Sequence, residues 1–381
     1  MKIDMNLLKK SVVSIGDTSR LKRVMQKAIS QQPITIGCIG GSITQGASAS
    51  SIDKKYASLV HKWWQTRFPC TKVDLINAGI GATGSLMGAH RVQDHLLKHA
   101  PDFVVVEYAV NDPVAPIVEL TYEGLIRQIL KSKNNPGVML VFLTNNRGEN
   151  AQDLHKKIGF HYKLSMASYR DAFWPEIAAG RMKWTDISPD EVHPNDSGHK
   201  FLSEIIAYQL DAIFNSLSSA TTNAADVSIP APLVSDLYEN ARILYSNTIE
   251  PVTYGDWAES VTAFFSPGWK AQNKTYAPMI MEIEARSIGV IYKKFNVGMG
   301  RAEVQIDDRP PVLLEGHFPC HWGGYPHGEI IAHDLKPGKH LLKIRKFKQP
   351  HPESTGNEFE LSGILVAKCD VSRLIGCPHP K

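Results

Sequence analysis

Two short runs without a single polar side chain, Phe103-Val104-Val105-Val106 and Val138-Met139-Leu140-Val141-Phe142-Leu143, set the strongest limit on how this chain can fold. Each is too short for a helix and offers no face to water, so each predicts a strand covered on both sides. Ile34-Thr35-Ile36-Gly37-Cys38-Ile39, ending in Gly40-Gly41, and Val73-Asp74-Leu75-Ile76 are further strand candidates. Between them, residues 56–68, 86–98 and 122–131 carry apolar positions at helical spacing. Strands that alternate with helices in this way predict an α/β domain, a parallel sheet with helices on both faces. A last helix is expected over residues 196–214, with Asp196 or Ser197 near its N-cap.

After residue 215 the pattern changes. Residues 216–232 are rich in Ser, Thr, Asn, Ala and Pro and have no hydrophobic period, as a linker would. Beyond it, residues 279–283, 289–295, 302–306, 340–347 and 359–367 form short strand-like runs between Gly, Pro and Asp turns. Strands at such spacing without helices predict an all-β sandwich, jelly-roll-like, over 233–381. The expected organisation is therefore a domain over 1–215, a linker over 216–232 and a β-domain over 233–381. No internal repeat is present.

Charge excludes little but does so usefully. Lys and Arg number 42 against 38 Asp and Glu, a formal net charge of +4. That is too small to predict a nucleic-acid or anionic-membrane partner. Cys38, Cys70, Cys320, Cys369 and Cys377 are odd in number and include no C-x-x-C pair, which argues against a disulfide framework and a structural zinc site. Residues 1–23 mix charges every few positions and hold no apolar export core. No run approaches the ~18–20 apolar residues of a membrane span. These features lead to the expectation of a protein that stays in the cytoplasm.

Four segments of the first domain can carry chemistry. Gly40-Gly41-Ser42-Ile43-Thr44 follows the first strand and presents Ser42 from a glycine turn at a strand's C-terminal end, where open α/β sheets place their ligands. Asn77-Ala78-Gly79-Ile80-Gly81-Ala82-Thr83-Gly84 follows the second and can aim a backbone N–H at a developing negative charge. Its spacing matches neither G-x-x-x-x-G-K-[ST] nor a dinucleotide fingerprint, which argues against a nucleotide cofactor. Glu107-Tyr108-Ala109-Val110-Asn111-Asp112-Pro113 ends the third strand, and Asn111 offers a neutral N–H donor there or simply starts a turn. Glu107, inside an apolar run, is expected to be structural and paired. Asp190-Glu191-Val192-His193 precedes the last helix. Three residues apart in a loop, Asp190 can orient His193 for proton transfer. His193 and His199 lack the spacing and the third ligand of a metal site, so no metal is expected, and His199 reads as a packing or capping residue.

In this order the four segments resemble the SGNH/GDSL hydrolase superfamily, over roughly residues 34–210. The resemblance implies a flavodoxin-like three-layer domain in which Ser42 is the nucleophile, Asn111 an oxyanion donor, and Asp190 with His193 the Asp-x-x-His pair. Two departures stand out. Gly41 replaces the aspartate of Gly-Asp-Ser, and the expected glycine of the second segment falls on Ala82 with Gly81 beside it, leaving open which N–H donates. No cofactor is implied.

The domain order is similar to that of the carbohydrate esterases that deacetylate plant mannans, carbohydrate esterase family seventeen, whose C-terminal module resembles a carbohydrate-binding module. That likeness implies an acetylated oligosaccharide as substrate. In the β-domain, Trp322 and Tyr325 lie in the ring-rich stretch 318–327 and are candidate sugar-stacking residues, with core packing as the alternative. Tyr254, Trp257 and Trp269 form a second cluster, and for Trp257 and Trp269 core packing or an aromatic-anchored turn is expected ahead of a binding platform. The basic run 336–348 is expected to be a solvated strand face. The resemblance implies ester hydrolysis through an acyl-enzyme. Its competitors are acyl transfer on the same machinery, deacetylation of a bacterial polysaccharide, and a non-catalytic glycan-binding protein. A lipase is disfavoured because no long apolar lid segment is present.

Overall fold

The computed structural model describes residues 4–217 and 228–368 and divides into two compact units, Met1–Asp236 and Leu237–Lys381. The first unit is built on β1 (Val12–Ser14), β2 (Ile34–Gly40), β3 (Val73–Gly79), β4 (Phe103–Glu107), β5 (Gly137–Phe142) and β6 (Ser165–Ser168), in the order β1-β6-β5-β4-β2-β3. Strands β2 to β6 are parallel, and β1 closes the β6 edge antiparallel. Every residue of β4 and β5 is buried, as their apolar runs require.

The helices are α1 (Met5–Lys10), α2 (Ser19–Ile29), α3 (Ser42–Gln45), α4 (Tyr56–Arg67), α5 (Ser85–His95), α6 (Pro116–Leu130), α7 (Gln152–His161), α8 (Tyr169–Ala178) and α9 (Asp196–Asn215). Helices α2, α4, α8 and α9 cover the face to which Ile36, Cys38, Val105, Met139 and Val141 contribute, and α5, α6 and α7 cover the other. The three layers are those expected.

Several details differ from expectation. Helix α6 starts at Pro116, where proline's fixed φ suits the first turn. The N-cap of α9 is Asn195, whose side chain accepts the Gly198 N–H at 3.0 Å, while Asp196 bonds Ser50 and Lys54 instead. Residues 218–227 of the expected linker lie outside the described residues. The stretch after them is tied to the first unit, because the Glu123 carboxylate accepts the backbone N–H groups of Leu233, Val234 and Ser235.

The second unit is all-β. One sheet has the order β10 (Met279–Glu284), β15 (Lys339–Lys346), β12 (Arg301–Ile306), β13 (Val312–Glu315), and the other β14 (Tyr325–Ala332), β11 (Ser287–Lys294), β16 (Glu360–Ala367), β9 (Gly268–Ala271), β8 (Trp257–Ser260). Strand β7 (Arg242–Leu244) also pairs with β16. Both sheets feed one core, with Met281, Val304 and Ile344 from the first and Trp269, Val290 and Ile364 from the second, so the unit is a sandwich. Cys38, Cys70 and Cys320 are free, and Cys369 and Cys377 lie outside the described residues.

Candidate active site

Strand order reverses between β2 and β4, and such a switch point leaves a crevice at the strands' C-terminal ends. Ser42 stands there as the first residue of α3, with Gly41 as N-cap. A Cβ on Gly41 would collide with the Asn111 side-chain amide, so glycine lets the turns after β2 and β4 meet. Ser42 Oγ lies 2.9 Å from His193 Nε2, and His193 Nδ1 lies 2.8 Å from Asp190 Oδ2. The carboxylate can only accept, which puts the ring proton on Nδ1 and leaves Nε2 to receive the serine proton.

The Asp190 loop is held from several directions. Asp190 Oδ1 accepts the N–H groups of Val192 and His193, each at 2.7 Å. Partial burial works to raise its carboxyl, but those two N–H groups and the His193 ring outweigh it and hold Asp190 below the ordinary carboxylate range. Ser188 Oγ sits 2.8 Å from Asp190 O and 2.7 Å from His193 O, and Trp184 Nε1 donates to Asp190 O at 2.6 Å.

Two backbone donors and one side chain face the same edge. Gly81 N–H donates to Gln45 Oε1 at 3.0 Å, whereas Ala82 N–H has no acceptor among the described residues. Ala82 sits at φ +55°, the left-handed region, so the turn imposes on alanine the conformation a glycine would adopt freely. Asn111 Oδ1 is buried without a partner, and its Nδ2 makes no hydrogen bond within the described residues. Asp112 does not cap the following helix. Its Oδ1 accepts the Ser85 N–H of α5 at 2.7 Å, and its Oδ2 pairs with buried His155 at 2.9 Å.

Residues 38–201 match the GDSL-like Lipase/Acylhydrolase family. Across both units the chain is similar to a solved two-domain esterase active on acetylated mannans, with 32% identity and a TM-score of 0.88, covering 94% of this chain and 98% of that one. The chain belongs to the GDSL/SGNH hydrolase family. A second structure of a two-domain esterase active on acetylated mannans, co-crystallized with mannopentaose, gives 32% identity and a TM-score of 0.87 over 94% and 97% of the two chains. The thioesterase 1/protease 1/lysophospholipase L1 of Escherichia coli (strain K12) is 25% identical over 189 residues, 48% of this chain and 85% of that protein. This GDSL hydrolase is thus a carboxylic ester hydrolase.

Beneath Ser42 this GDSL hydrolase carries a buried polar chain that sequence reading only touched. Thr44 Oγ1 donates to Glu107 Oε2 at 3.2 Å and lies 2.8 Å from the Tyr56 hydroxyl. Glu107 Oε1 is buried with no hydrogen-bond partner among the described residues, and burial pushes the carboxyl up to about 7 against the opposing pull of Thr44 and the Gly41 N–H. Tyr56 stacks on His199, whose Nδ1 accepts the Tyr56 N–H at 3.4 Å and whose Nε2 meets Ala47 O at 3.0 Å, a packing role. Gln45 was missed altogether. Its position three residues after Ser42 on α3 was the only available signal.

The second unit separates its aromatic residues into two kinds. Trp257 and Trp269 are core residues, 4% and 0% exposed. Trp322 is 60% exposed and lies 5.2 Å from Tyr325, with Phe318 edge-on to both. In the basic run, β15 alternates exposed and covered positions, and Lys346 is buried beside the Tyr276 ring, so this part is not wholly solvated. Among the described residues, His317, His351 and Glu353 bring possible metal-ligating atoms within 4.8 Å of one another. The two imidazoles are stacked 13° from parallel, and His351 Nδ1 already accepts the Glu353 N–H. Lone pairs in the planes of near-parallel stacked rings do not converge on one ion, so the group is not preset for tetrahedral coordination.

Proposed function

We propose that this hydrolase removes O-acetyl groups from mannan-type oligosaccharides through an acetyl-enzyme on Ser42. His193 Nε2 takes the Ser42 proton as Oγ attacks the acetyl carbonyl, and Asp190 stabilises the imidazolium. The tetrahedral oxyanion is met by the N–H groups of Ser42 and Ala82 and by Asn111 Nδ2, Gly81 being occupied by Gln45. Collapse breaks the bond between the acyl carbon and the sugar oxygen, and His193 gives its proton to that departing oxygen, which leaves as the sugar hydroxyl. Water then attacks acetyl-Ser42 with His193 again as base, which releases acetate and restores the serine.

One observation carries the reading of substrate. The likeness to an esterase active on acetylated mannans spans both units, not the catalytic unit alone. Trp322 and Tyr325 supply exposed rings suited to the apolar faces of sugars.

Acetate release from acetylated manno-, xylo- and chito-oligosaccharides, by wild type and Ser42→Ala, tests the proposal. Release from the manno-oligomers that falls at least ~10³-fold in Ser42→Ala, with thermal unfolding unchanged, is the expected result. Release confined to another oligomer would reassign the substrate. Undiminished release by Ser42→Ala would remove Ser42 from the mechanism.

A further inference from the structure

Arg91 is a fully buried guanidinium on α5 with no carboxylate partner among the described residues, an arrangement a fold does not keep without compensation. Its three hydrogen bonds go to the ends of three different strands. Nη1 donates to Ala78 O of β3 at 2.7 Å, and Nη2 donates to Gly40 O of β2 at 2.9 Å and to the hydroxyl of Tyr108, directly after β4, at 2.8 Å. Gly88 on the same helix lacks the Cβ that would press into the Tyr108 ring, which lets the tyrosine reach the guanidinium. Arg91 Nε is buried without a hydrogen-bond partner among the described residues.

Each contact lies just upstream of one oxyanion donor. Gly40 is two residues before Ser42, Ala78 four before Ala82, and Tyr108 three before Asn111. The same helix is tied to the third turn at its other end, where Asp112 accepts the Ser85 N–H. We infer that Arg91 is a positioning residue for the oxyanion site, fastening the three donor-bearing turns to one another and placing a fixed positive charge behind them. The inference rests on the acyl-enzyme reading above.

Chemistry favours a guanidinium in this place. A planar fork can reach two strand ends at once, and Gly40 O, which also accepts the Ile80 N–H at 3.1 Å, has a second lone pair to offer it. A buried charge in a low dielectric also acts on developing negative charge with little screening. A group that only stabilised the fold would affect substrate binding and turnover alike or neither. A group that organises oxyanion donors acts selectively on the tetrahedral, negatively charged state.

The test compares Arg91→Lys, Arg91→Met and Tyr108→Phe with wild type in the full chain, using an aryl acetate and a boronic acid that adds to the serine as a tetrahedral anion. For folded Arg91→Met, kcat should fall about 100-fold and boronate affinity in parallel, with KM changed less than about threefold. Arg91→Lys keeps the charge but not the fork and should lose about tenfold in both. A folded Arg91 variant with wild-type kcat and boronate affinity overturns the inference, as does one in which KM carries the loss. If neither Arg91 variant folds, Tyr108→Phe decides: it removes one of the three contacts, and a several-fold fall in boronate affinity is expected, while wild-type affinity overturns the inference. Ser42→Ala run alongside keeps the two readings distinguishable, since activity surviving in that variant would fail the acyl-enzyme reading whatever Arg91 shows.

Discussion

Asn111 is held by its backbone turn rather than by its side chain, because both amide atoms lack partners among the described residues and the oxygen is buried. A neutral amide kept unsatisfied costs stability unless it meets a ligand group. Asn111→Ala should therefore lower kcat by ~10²–10³ with little change in KM, and leave stability within ~1 kcal/mol of wild type. Steady-state kinetics with denaturant unfolding check this, and an unchanged kcat would remove Asn111 from the oxyanion site. Glu107 leads to a different expectation. Its carboxyl, raised by burial from 4.5 to about 7, keeps its proton in the native state at pH values where the unfolded chain has released it. Native stability therefore falls as pH rises from about 4.5 to about 7, by an amount on the order of 3 kcal/mol. Glu107→Gln cannot ionise, so its unfolding free energy should be flatter between pH 5 and pH 8 than that of wild type. Parallel slopes for the two proteins would mean that Glu107 does not titrate in this range.

The loop before α9 shows how an element rather than a residue sets the Ser42–His193–Asp190 contacts. Asp190 and His193 are both partly exposed, with 46% and 30% of their side chains accessible, so packing alone does not hold them. Ser188 Oγ lies within hydrogen-bond distance of the backbone carbonyls of both, and its single proton is shared between them. Ser188→Ala should lower kcat about tenfold through misalignment and, because Ser188 is itself buried, cost about 1–2 kcal/mol of stability. Equal kcat in the two proteins would show the loop to be held by Trp184 and Asn195 instead. At this scale the sequence is legible where burial is written in side chains. Strands β4 and β5 announce themselves by unbroken apolar runs, and Asp190 and His193 by short spacing. Strand β6, Ser165-Met166-Ala167-Ser168, is small and short and is buried only by its neighbours, and β1 is three residues on the edge. Strand β14 was hidden by Pro326 and Gly328, yet it is an edge strand, where proline is tolerated. The choice between Gly81 and Ala82 was not legible either, because a backbone N–H leaves no mark on composition. Gln45, through a side chain distant from the turn in sequence, occupies one of the two. Arg91 was invisible for a related reason: its partners are main-chain carbonyls and a hydroxyl.

Taken as a whole, the molecule couples an α/β unit that holds every residue of the proposed chemistry to a β-sandwich that contributes none of it. The rings of the sandwich show what it adds. Trp269 is fully buried, and Trp269→Ala should destabilise the second unit by ~3–5 kcal/mol. Trp322 is exposed on a base of Phe318 and Tyr325, so its removal leaves no cavity and should move the unfolding temperature little. An indole that rests on other rings and stays 60% exposed suits a sugar ring better than a core. If the sandwich holds the glycan while the first unit cleaves the ester, Trp322→Ala should cost about tenfold in kcat/KM on acetylated manno-oligosaccharides, roughly the worth of one lost stacking contact. An aryl acetate has no glycan to hold, and its hydrolysis should be unchanged in the same variant. The two substrates measured side by side make the argument decisive. An equal loss on both would mean that Trp322 supports the fold rather than the sugar, and no loss on either would separate the sandwich from substrate recognition altogether.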